Sequence, residues 1–450
     1  MHVLAPVVAG TFYPSDRAAL TQAVDRLLAK APDIGAPPPK AVILPHAGYR
    51  FSGGPAASAA ASLKPGPERV VILGPSHHHA FAGIAVPDAD RVATPLGEID
   101  LDDEVIATLL EHPDVNRVPE AFAAEHSIEV ELPFLQRRLR AFKLVPLVVG
   151  DIASDRLARI LDEIWGGDET MLVISTDMTH FLTAGEAERI DLETAISIEA
   201  ADGARIGPRR ACGYRPLAAF LTCADQRGMR LTRTALTHSG AVTGDTDRVV
   251  GYGAWLAHPP ETAQLSAEHR KQALRLARQA ATSFARRGRA PKINLASFPT
   301  PFQGLGAAFV TLSHRGRLRG CIGSLKAHRP LAEDILENAV RAAFKDPRFS
   351  PVTEAELREC EIEVAILSRP APMVFRDQQD LMGQLRPGRD GLILADGPNR
   401  GTFLPKVWDS LTTEDAFLSG LKVKAGLSRD HWSPDLKIWR YMTEAFKESP

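Results

Sequence analysis

Three histidines in the first half of the chain follow short apolar runs that are typical of buried strands. His46 comes just after one such run, His77 follows the run at 70–73, and His180 follows the run at 171–174. The carboxyl ends of parallel strands meet at one edge of an α/β sheet, where such sheets bind their ligands. Imidazole is also the commonest protein metal ligand and general base. The pattern therefore predicts a metal or acid–base centre.

The distribution of histidines agrees with this placement. Ten of the 14 histidines lie between His2 and His258. His77 is followed directly by His78 and His79, and neighbouring side chains of an extended segment face opposite ways. We therefore expect at least one of these three residues to be structural or solvated.

Cys212 is the best candidate for a further ligand because it precedes a predicted helix start at Pro216. A helix N-terminus lowers the pKa of a nearby thiol, and a thiolate binds soft metals. Asp177 and His180 are predicted to serve as acid–base groups or to orient a metal-bound histidine. A lone histidine after a strand is more often a hydrogen-bonded loop residue, so the metal and structural interpretations stay evenly balanced on the residues alone.

The segment Glu125–Glu129 places His126 and Glu129 three residues apart, on one face if the segment is helical. This spacing suits a proton relay. The alternative is a capped helix with a solvated face, which the residues alone favour.

Two features of the second half have chemical interpretations. Arg319 precedes Cys321 by two residues, and its charge would make the thiol nucleophilic; a small buried cysteine in a tight strand-turn is the favoured alternative. The stretch from His269 to Lys292 has eight Lys/Arg and no Asp or Glu. It suits RNA or another polyanion, although a solvated helix face is the commoner explanation.

Helix patterns and apolar runs alternate through residues 1–258, which predicts a doubly wound, mostly parallel α/β sheet. The predicted helices lie near 17–30, 54–64, 102–111, 153–165 and 185–202, and the predicted strands at 40–45, 69–74, 143–149, 170–175 and 249–256. Residues 259–264 are the predicted linker. The elements from 265 to 450 predict an α+β domain that opens with a helix capped by Ser266.

Composition excludes several classes of protein. The formal net charge is −2, which argues against a polycation for nucleic acid. No apolar run is long enough for a membrane span, and the N-terminus is unlike a signal peptide. The 4 cysteines form no CxxC pair, which favours a reducing, cytoplasmic location. No phosphate loop, dinucleotide fingerprint or GxSxG elbow occurs.

The first half of the chain, residues 1 to about 257, resembles the Memo family. The resemblance rests on five motifs in the family's order: Pro45-His46-Ala47-Gly48-Tyr49, Gly74-Pro75-Ser76-His77-His78, Glu125-His126-Ser127-Ile128-Glu129, Ser175-Thr176-Asp177 with His180, and Cys212-Gly213-Tyr214-Arg215-Pro216. That family is similar to class III extradiol dioxygenases, the non-haem iron enzymes that cleave catechol rings. The resemblance therefore implies a dioxygenase-like fold.

The resemblance also implies that His46, His77 and Cys212 bind Fe(II) or copper and that Asp177 and His180 line the pocket. The dioxygenases use two histidines and a carboxylate, whereas a thiolate here takes the third position. Thiolate favours softer metals such as Cu(I). Members of the family have been linked to redox signalling and copper handling.

Residues from about 265 to 445 resemble the AMMECR domain, through the motifs at 318–325, 342–349, 362–368 and 402–408. Memo-like, AMMECR-like and radical-SAM proteins are associated in bacteria and archaea as the AmmeMemoRadiSam system, so the resemblance implies a radical-SAM partner.

Three functional hypotheses follow. The first is a metal-dependent oxidoreductase in which His180 is the acid–base group, Asp177 orients it or the substrate, and Cys321 lies where the second domain presents a small-molecule or macromolecular substrate. The second is a non-catalytic copper- or iron-binding interaction protein. The third is a factor that modifies RNA or protein through the basic helix.

Overall fold

The computed structural model describes residues 2–32, 34, 36–262 and 265–448. The chain forms two compact units. Unit 1 comprises the chain up to Ala224 together with Leu231–His258, and unit 2 comprises Asp225–Arg230 together with the chain from Pro259 onward. Two residues of the predicted linker, Ala263 and Gln264, lie outside the described residues.

Unit 1 alternates strands and helices. Its strands are β1 (Val3–Leu4), β2 (Ala41–Leu44), β3 (Arg69–Pro75), β4 (Ile84–Val86), β5 (Arg91–Thr94), β6 (Gly97–Asp100), β7 (Val115–Arg117), β8 (Lys143–Val149), β9 (Thr170–Ser175), β10 (His180–Leu182), β11 (Arg230–His238) and β12 (Val249–His258). Its helices are α1 (Arg17–Lys30), α2 (Tyr49–Ala60), α3 (Asp103–Leu109), α4 (Leu132–Arg138), α5 (Ser154–Glu163), α6 (Ala184–Glu199), α7 (Tyr214–Gln226) and α8 (Gly240–Thr243).

The large sheet of unit 1 runs in the order β10-β12-β2-β9-β3-β8-β4-β7, and β11 pairs with β12. The neighbours β2, β9, β3 and β8 are parallel. Their apolar residues are buried, as expected for central strands covered on both faces. The predicted α/β fold with a mostly parallel core is confirmed, and antiparallel pairing begins at β12 and β4.

Helix α2 differs most from its predicted bounds, because it begins at Tyr49 rather than near 54. The predicted start near 54 falls inside the helix, as does Pro55. The helix begins earlier because the Tyr49 N–H, which has no partner within the helix, donates to the Phe12 carbonyl at 2.8 Å. This contact joins distant parts of the sequence, so a local pattern does not reveal it.

Unit 2 has the predicted α+β character. Its strands are β13 (Leu305–Gly306), β14 (Ala308–His314), β15 (Arg317–Gly323), β16 (Arg329–Pro330), β17 (Cys360–Leu367), β18 (Ala371–Pro372), β19 (Gly391–Asp396), β20 (Asn399–Phe403), β21 (Lys437–Tyr441) and β22 (Thr443–Lys447). Its helices are α9 (Ala267–Arg287), α10 (Thr300–Gln303), α11 (Leu331–Phe344), α12 (Glu354–Glu359), α13 (Gln378–Gln384) and α14 (Glu414–Lys424).

Two antiparallel sheets organise unit 2, in the orders β15-β14-β17-β22 and β18-β21-β19-β20. One face of the first sheet packs its apolar residues against α9 and α11. Ser266 caps α9 as predicted, because its hydroxyl accepts the His269 N–H at 3.2 Å. In the described part of the chain, no helix combines the length and apolarity needed to cross a bilayer.

Candidate metal centre

His46 lies just beyond β2 and is almost completely buried. Its Nδ1 lies 2.6 Å from the Ser175 hydroxyl, which donates its own proton to the Ser127 carbonyl at 2.5 Å. The hydroxyl has one proton to donate, so Ser175 accepts a hydrogen bond from Nδ1–H of His46. The lone pair of His46 is therefore on Nε2.

His77 lies just beyond β3 and is held by Glu125. One carboxylate oxygen lies 2.9 Å from Nδ1 of His77, and the other accepts its backbone N–H at 2.6 Å. Burial raises the pKa of Glu125, but its hydrogen bonds with the His77 ring and with the N–H groups of His77 and Ser127 outweigh burial and bring the pKa to about 2. Glu125 is thus an ionised acceptor that fixes the lone pair of His77 on Nε2.

His126 precedes a turn at 127–128 and a 3₁₀ helix at Glu129–Glu131, so no α-helix carries His126 and Glu129 on one face. The Glu125 carboxylate accepts the N–H groups of His126 and Ser127, both at 2.9 Å. The His126 ring stacks on the His77 ring, with centroids 4.9 Å apart. His126 therefore faces the other imidazoles and is not on a solvated face.

Glu129 does not form the predicted relay with His126. Its carboxylate accepts the N–H groups of Val7 and Val8, at 2.6 Å and 3.1 Å, and the hydroxyl of Tyr13. Both predictions for Glu129 were wrong. It neither pairs with His126 in a proton relay nor lies on a solvated helix face, because its carboxylate anchors the N-terminal loop.

The three imidazoles form a cluster in which one ring nitrogen from each of His46, His77 and His126 lies within 4.8 Å of the other two. Burial, followed by the charges of His77 and His126, holds the pKa of His46 well below its ordinary value. Burial also lowers the pKa of His126 to about 4. Neutral imidazoles keep the lone pair that a metal needs, so this donor set suits iron, copper or zinc.

The Cys212 thiol lies 3.3 Å from Nε2 of His46, at the edge of the cluster. Gly213 permits this approach, because a Cβ there would lie 2.6 Å from the Ser175 carbonyl oxygen. Burial raises the pKa of the Cys212 thiol to about 12, so the predicted lowering by a helix N-terminus is wrong. A bound cation would deprotonate the thiol despite its burial.

Asp177 lies just beyond β9 and is buried. One carboxylate oxygen accepts the backbone N–H of His46 at 2.9 Å, and the Asp177 N–H donates to the Cys212 sulfur at 3.2 Å. Burial raises the pKa of Asp177 to about 7. Asp177 therefore connects the His46 backbone to the Cys212 thiol.

The residues around this cluster match a known family. The family described as Memo-like protein matches residues 5–256, which is more than half of the 450-residue chain. The chain belongs to the Memo family. A second family, described as AMMECR1, matches residues 274–446. We refer to these stretches as the Memo region and the AMMECR1 region.

Similar proteins occur in bacteria and archaea. A MEMO1 family protein from Aquifex aeolicus is 35% identical over 264 residues, which cover 56% of this chain and 98% of that protein. One from Methanosarcina mazei is 36% identical over 270 residues, with the same coverage of 56% and 98%. A solved structure of an uncharacterized protein from Pyrococcus horikoshii is 31% identical, covering 41% of this chain and 94% of that chain, with a TM-score of 0.39.

His180 of the Memo region begins β10. Its Nδ1 lies 2.9 Å from the Met178 carbonyl oxygen, so Nδ1 carries the proton and Nε2 the lone pair. The next residue, Phe181, has a φ of 61°, which bulky side chains rarely adopt. The charge of His180 also lowers the pKa of His46, after burial and the charges of His77 and His126.

A cleft of 540 Å³ in the Memo region is lined partly by Cys212. Phe81 and His79, which stack with centroids 6.1 Å apart, also line it. Arg215 lines the cleft as well and forms an ion pair with Asp151 at 2.5 Å. The cleft reaches Cys212, but its lining includes none of the three imidazoles and neither Asp177 nor His180, which were expected to line the pocket.

Cys321 of the AMMECR1 region lies within β15, opposite Thr311, whose hydroxyl donates to the thiol at 3.2 Å. Arg319, which was predicted to activate this thiol, pairs with Glu356 and donates to the Ser350 carbonyl at 2.8 Å. The guanidinium is therefore committed elsewhere, and the catalytic role of Cys321 stays a prediction.

The basic helix α9 is paired with acids that lie outside the 269–292 stretch. The pairs are Arg270–Glu444 at 2.7 Å, Arg275–Glu268 at 3.1 Å, Arg286–Glu354 at 2.8 Å, and Arg278–Glu448. These pairs offset much of the positive charge that suggested RNA binding. RNA as a partner stays a prediction.

Sequence reasoning considered His126 only as a relay partner of Glu129, and it did not select Glu125 or Ser175 as members of the site. The signal that could have found them is a pair of acids, Glu125 and Glu129, within a segment of apolar residues. Both acids are only 7% exposed. Buried carboxylates need donors, so their presence indicates that other segments dock there.

Proposed function

We propose that the Memo region is a metal-dependent oxidoreductase centre that binds iron or copper. His46 and His77 are ligands both in the set that the resemblance implies and in the cluster of imidazoles. Cys212 and His126 are the candidates for the remaining ligand positions. The cluster of three imidazoles with one nitrogen each within 4.8 Å carries the proposal. The engaged Nδ1 atoms of His46 and His77 support it, because they leave Nε2 of each ring available.

The metal, when bound, would supply one-electron chemistry, and a thiolate ligand would favour the softer Cu(I). Asp177 would hold the His46 backbone in place. Nε2 of His180 has a lone pair and would accept a proton from a substrate that enters beside the cluster. The cleft lined by Cys212, Phe81 and Arg215 would admit a small molecule on the Cys212 side of the site.

The test of the metal site is elemental analysis of anaerobically purified protein, beside a His77→Ala variant. We expect stoichiometric iron or copper in the wild type and loss of that metal in the variant. His112→Ala is the matched control, because His112 is a partly exposed histidine of unit 1 that pairs with Glu163. Metal-free wild type that takes up neither Fe(II) nor Cu(I) would contradict the proposal.

A second candidate function is non-catalytic metal binding, and the fourth donor in the cluster favours it. A metal closed by four protein ligands is typical of structural sites, whereas catalytic sites keep an open position. The visible spectrum of the Co(II)-substituted protein separates the two. Bands that shift when azide is added would show an open position and support the oxidoreductase, and bands that azide leaves unchanged would support metal storage.

A further inference from the structure

We propose that Glu125 is a positioning residue that sets two of the three imidazoles, His77 and His126, as one unit. This inference rests on the proposed metal site. It concerns how the chain assembles the ligands before a metal arrives.

Glu125 holds His77 at two points. The carboxylate binds this residue twice, through the ring Nδ1 at 2.9 Å and through the backbone N–H at 2.6 Å. Two contacts from one rigid group fix both the backbone and the rotation of the ring. A carboxylate on the second nitrogen of a metal-binding histidine is the usual way to orient it.

Glu125 also fixes the backbone at His126. The oxygen that meets Nδ1 of His77 also accepts the N–H groups of His126 and Ser127, both at 2.9 Å. The Ser127 hydroxyl then donates to the Pro75 carbonyl at 3.0 Å, which docks the turn on the end of β3. The His77 and His126 rings consequently stack with an interplanar angle of 18°.

His46 has separate supports. Ser175 holds its ring at 2.6 Å, and Asp177 holds its backbone at 2.9 Å. Removal of the Glu125 carboxylate therefore disturbs two imidazoles and leaves the third in place. A residue that merely stabilised the fold would not produce this division.

The test is Co(II) titration of the full chain, with absorption spectra, for wild type, Glu125→Gln and Asp102→Asn. Gln puts an amide N–H₂ where one carboxylate oxygen accepts a hydrogen bond, so we expect Co(II) affinity to fall roughly 10- to 100-fold and the bands to change shape. Asp102 is the matched control, since it is a buried carboxylate that caps α3 and pairs with Arg69 at the start of β3. Asp102→Asn should lower thermal stability but leave the Co(II) spectrum and affinity unchanged.

A double-mutant cycle sharpens the test. In the Glu125→Gln background His126 is already displaced, so His126→Ala should cost much less Co(II) affinity there than in wild type. Equal costs in both backgrounds would overturn the coupling. If wild type binds Co(II) and Glu125→Gln has the same affinity and spectrum, the positioning role of Glu125 is wrong and the metal site still stands. Wild type that binds no Co(II) would instead contradict the metal site itself.

Discussion

Cys212 and Cys321 have similar settings in sequence and different ones in the fold. Each adjoins a glycine and has an arginine within three residues. The Cys212 sulfur contacts Nε2 of His46 at 3.3 Å, a nitrogen whose lone pair is otherwise unused. The Cys321 sulfur accepts from Thr311, while Arg319 is occupied by Glu356. The comparison teaches that reactivity depends on which neighbours remain available, and residue type alone does not determine it.

The largest expected difference between the two cysteines is in Co(II) affinity, measured after each is replaced by serine. Cys212→Ser should weaken Co(II) binding by more than about 100-fold, because losing a direct ligand costs more affinity than losing a group that only hydrogen-bonds to a ligand. It should also remove the sulfur-to-metal charge-transfer band. Cys321→Ser should change neither. Equal affinities for Cys212→Ser and wild type would assign the third ligand position to His126.

The second prediction concerns the pH dependence of Co(II) affinity. The pKa of the Cys212 thiol is about 12, so a metal that binds this sulfur must displace a proton. Affinity should therefore rise about tenfold per pH unit between roughly pH 8 and 10, above the pKa of Asp177 of about 7. The pKa of His126 is about 4, so its ring is already neutral in that range and adds no slope.

The control for this profile is Cys212→Ser, which should flatten it, whereas Cys321→Ser should keep the slope. A flat profile in the wild type would show that Cys212 stays a thiol when metal binds. Isothermal titration in buffers of different ionisation enthalpy counts the released protons independently.

The smallest expected effect belongs to Arg319→Gln. Its pair with Glu356 is only partly exposed, at 14% and 25%, so its loss should lower the free energy of unfolding by about 1 kcal/mol. Urea denaturation would measure this change. The rate of Cys321 alkylation by iodoacetamide should stay the same, and a large fall in that rate would restore Arg319 as the activating group.

Several parts of the site could be predicted from sequence because they depend on local patterns. His46, His77 and Asp177 each follow a run of apolar residues, and strand ends of this kind share an edge of the sheet. The capped start of α9 at Ser266 is also a local signal. The α/β and α+β assignments follow from the order of such patterns along the chain.

Other parts could not be predicted because distant segments create them. His126 joins the cluster through a turn that the neighbouring Glu125 closes and that Ser127 docks on β3. Gly74 permits this docking, since a Cβ there would lie 2.4 Å from the Ser127 hydroxyl. The pKa of Cys212 depends on burial, and the sequence shows only the helix start that follows it.

The four donor side chains lie at positions 46, 77, 126 and 212, so the closest pair is separated by about thirty residues of chain. In a zinc finger the ligands are near neighbours, and the metal can drive a short peptide to fold. Here the large sheet must form before the donors meet, and long loops must close first, which slows folding. If the proposed site binds its metal, loading would therefore follow folding, and the ion would bind a molecule that is already folded.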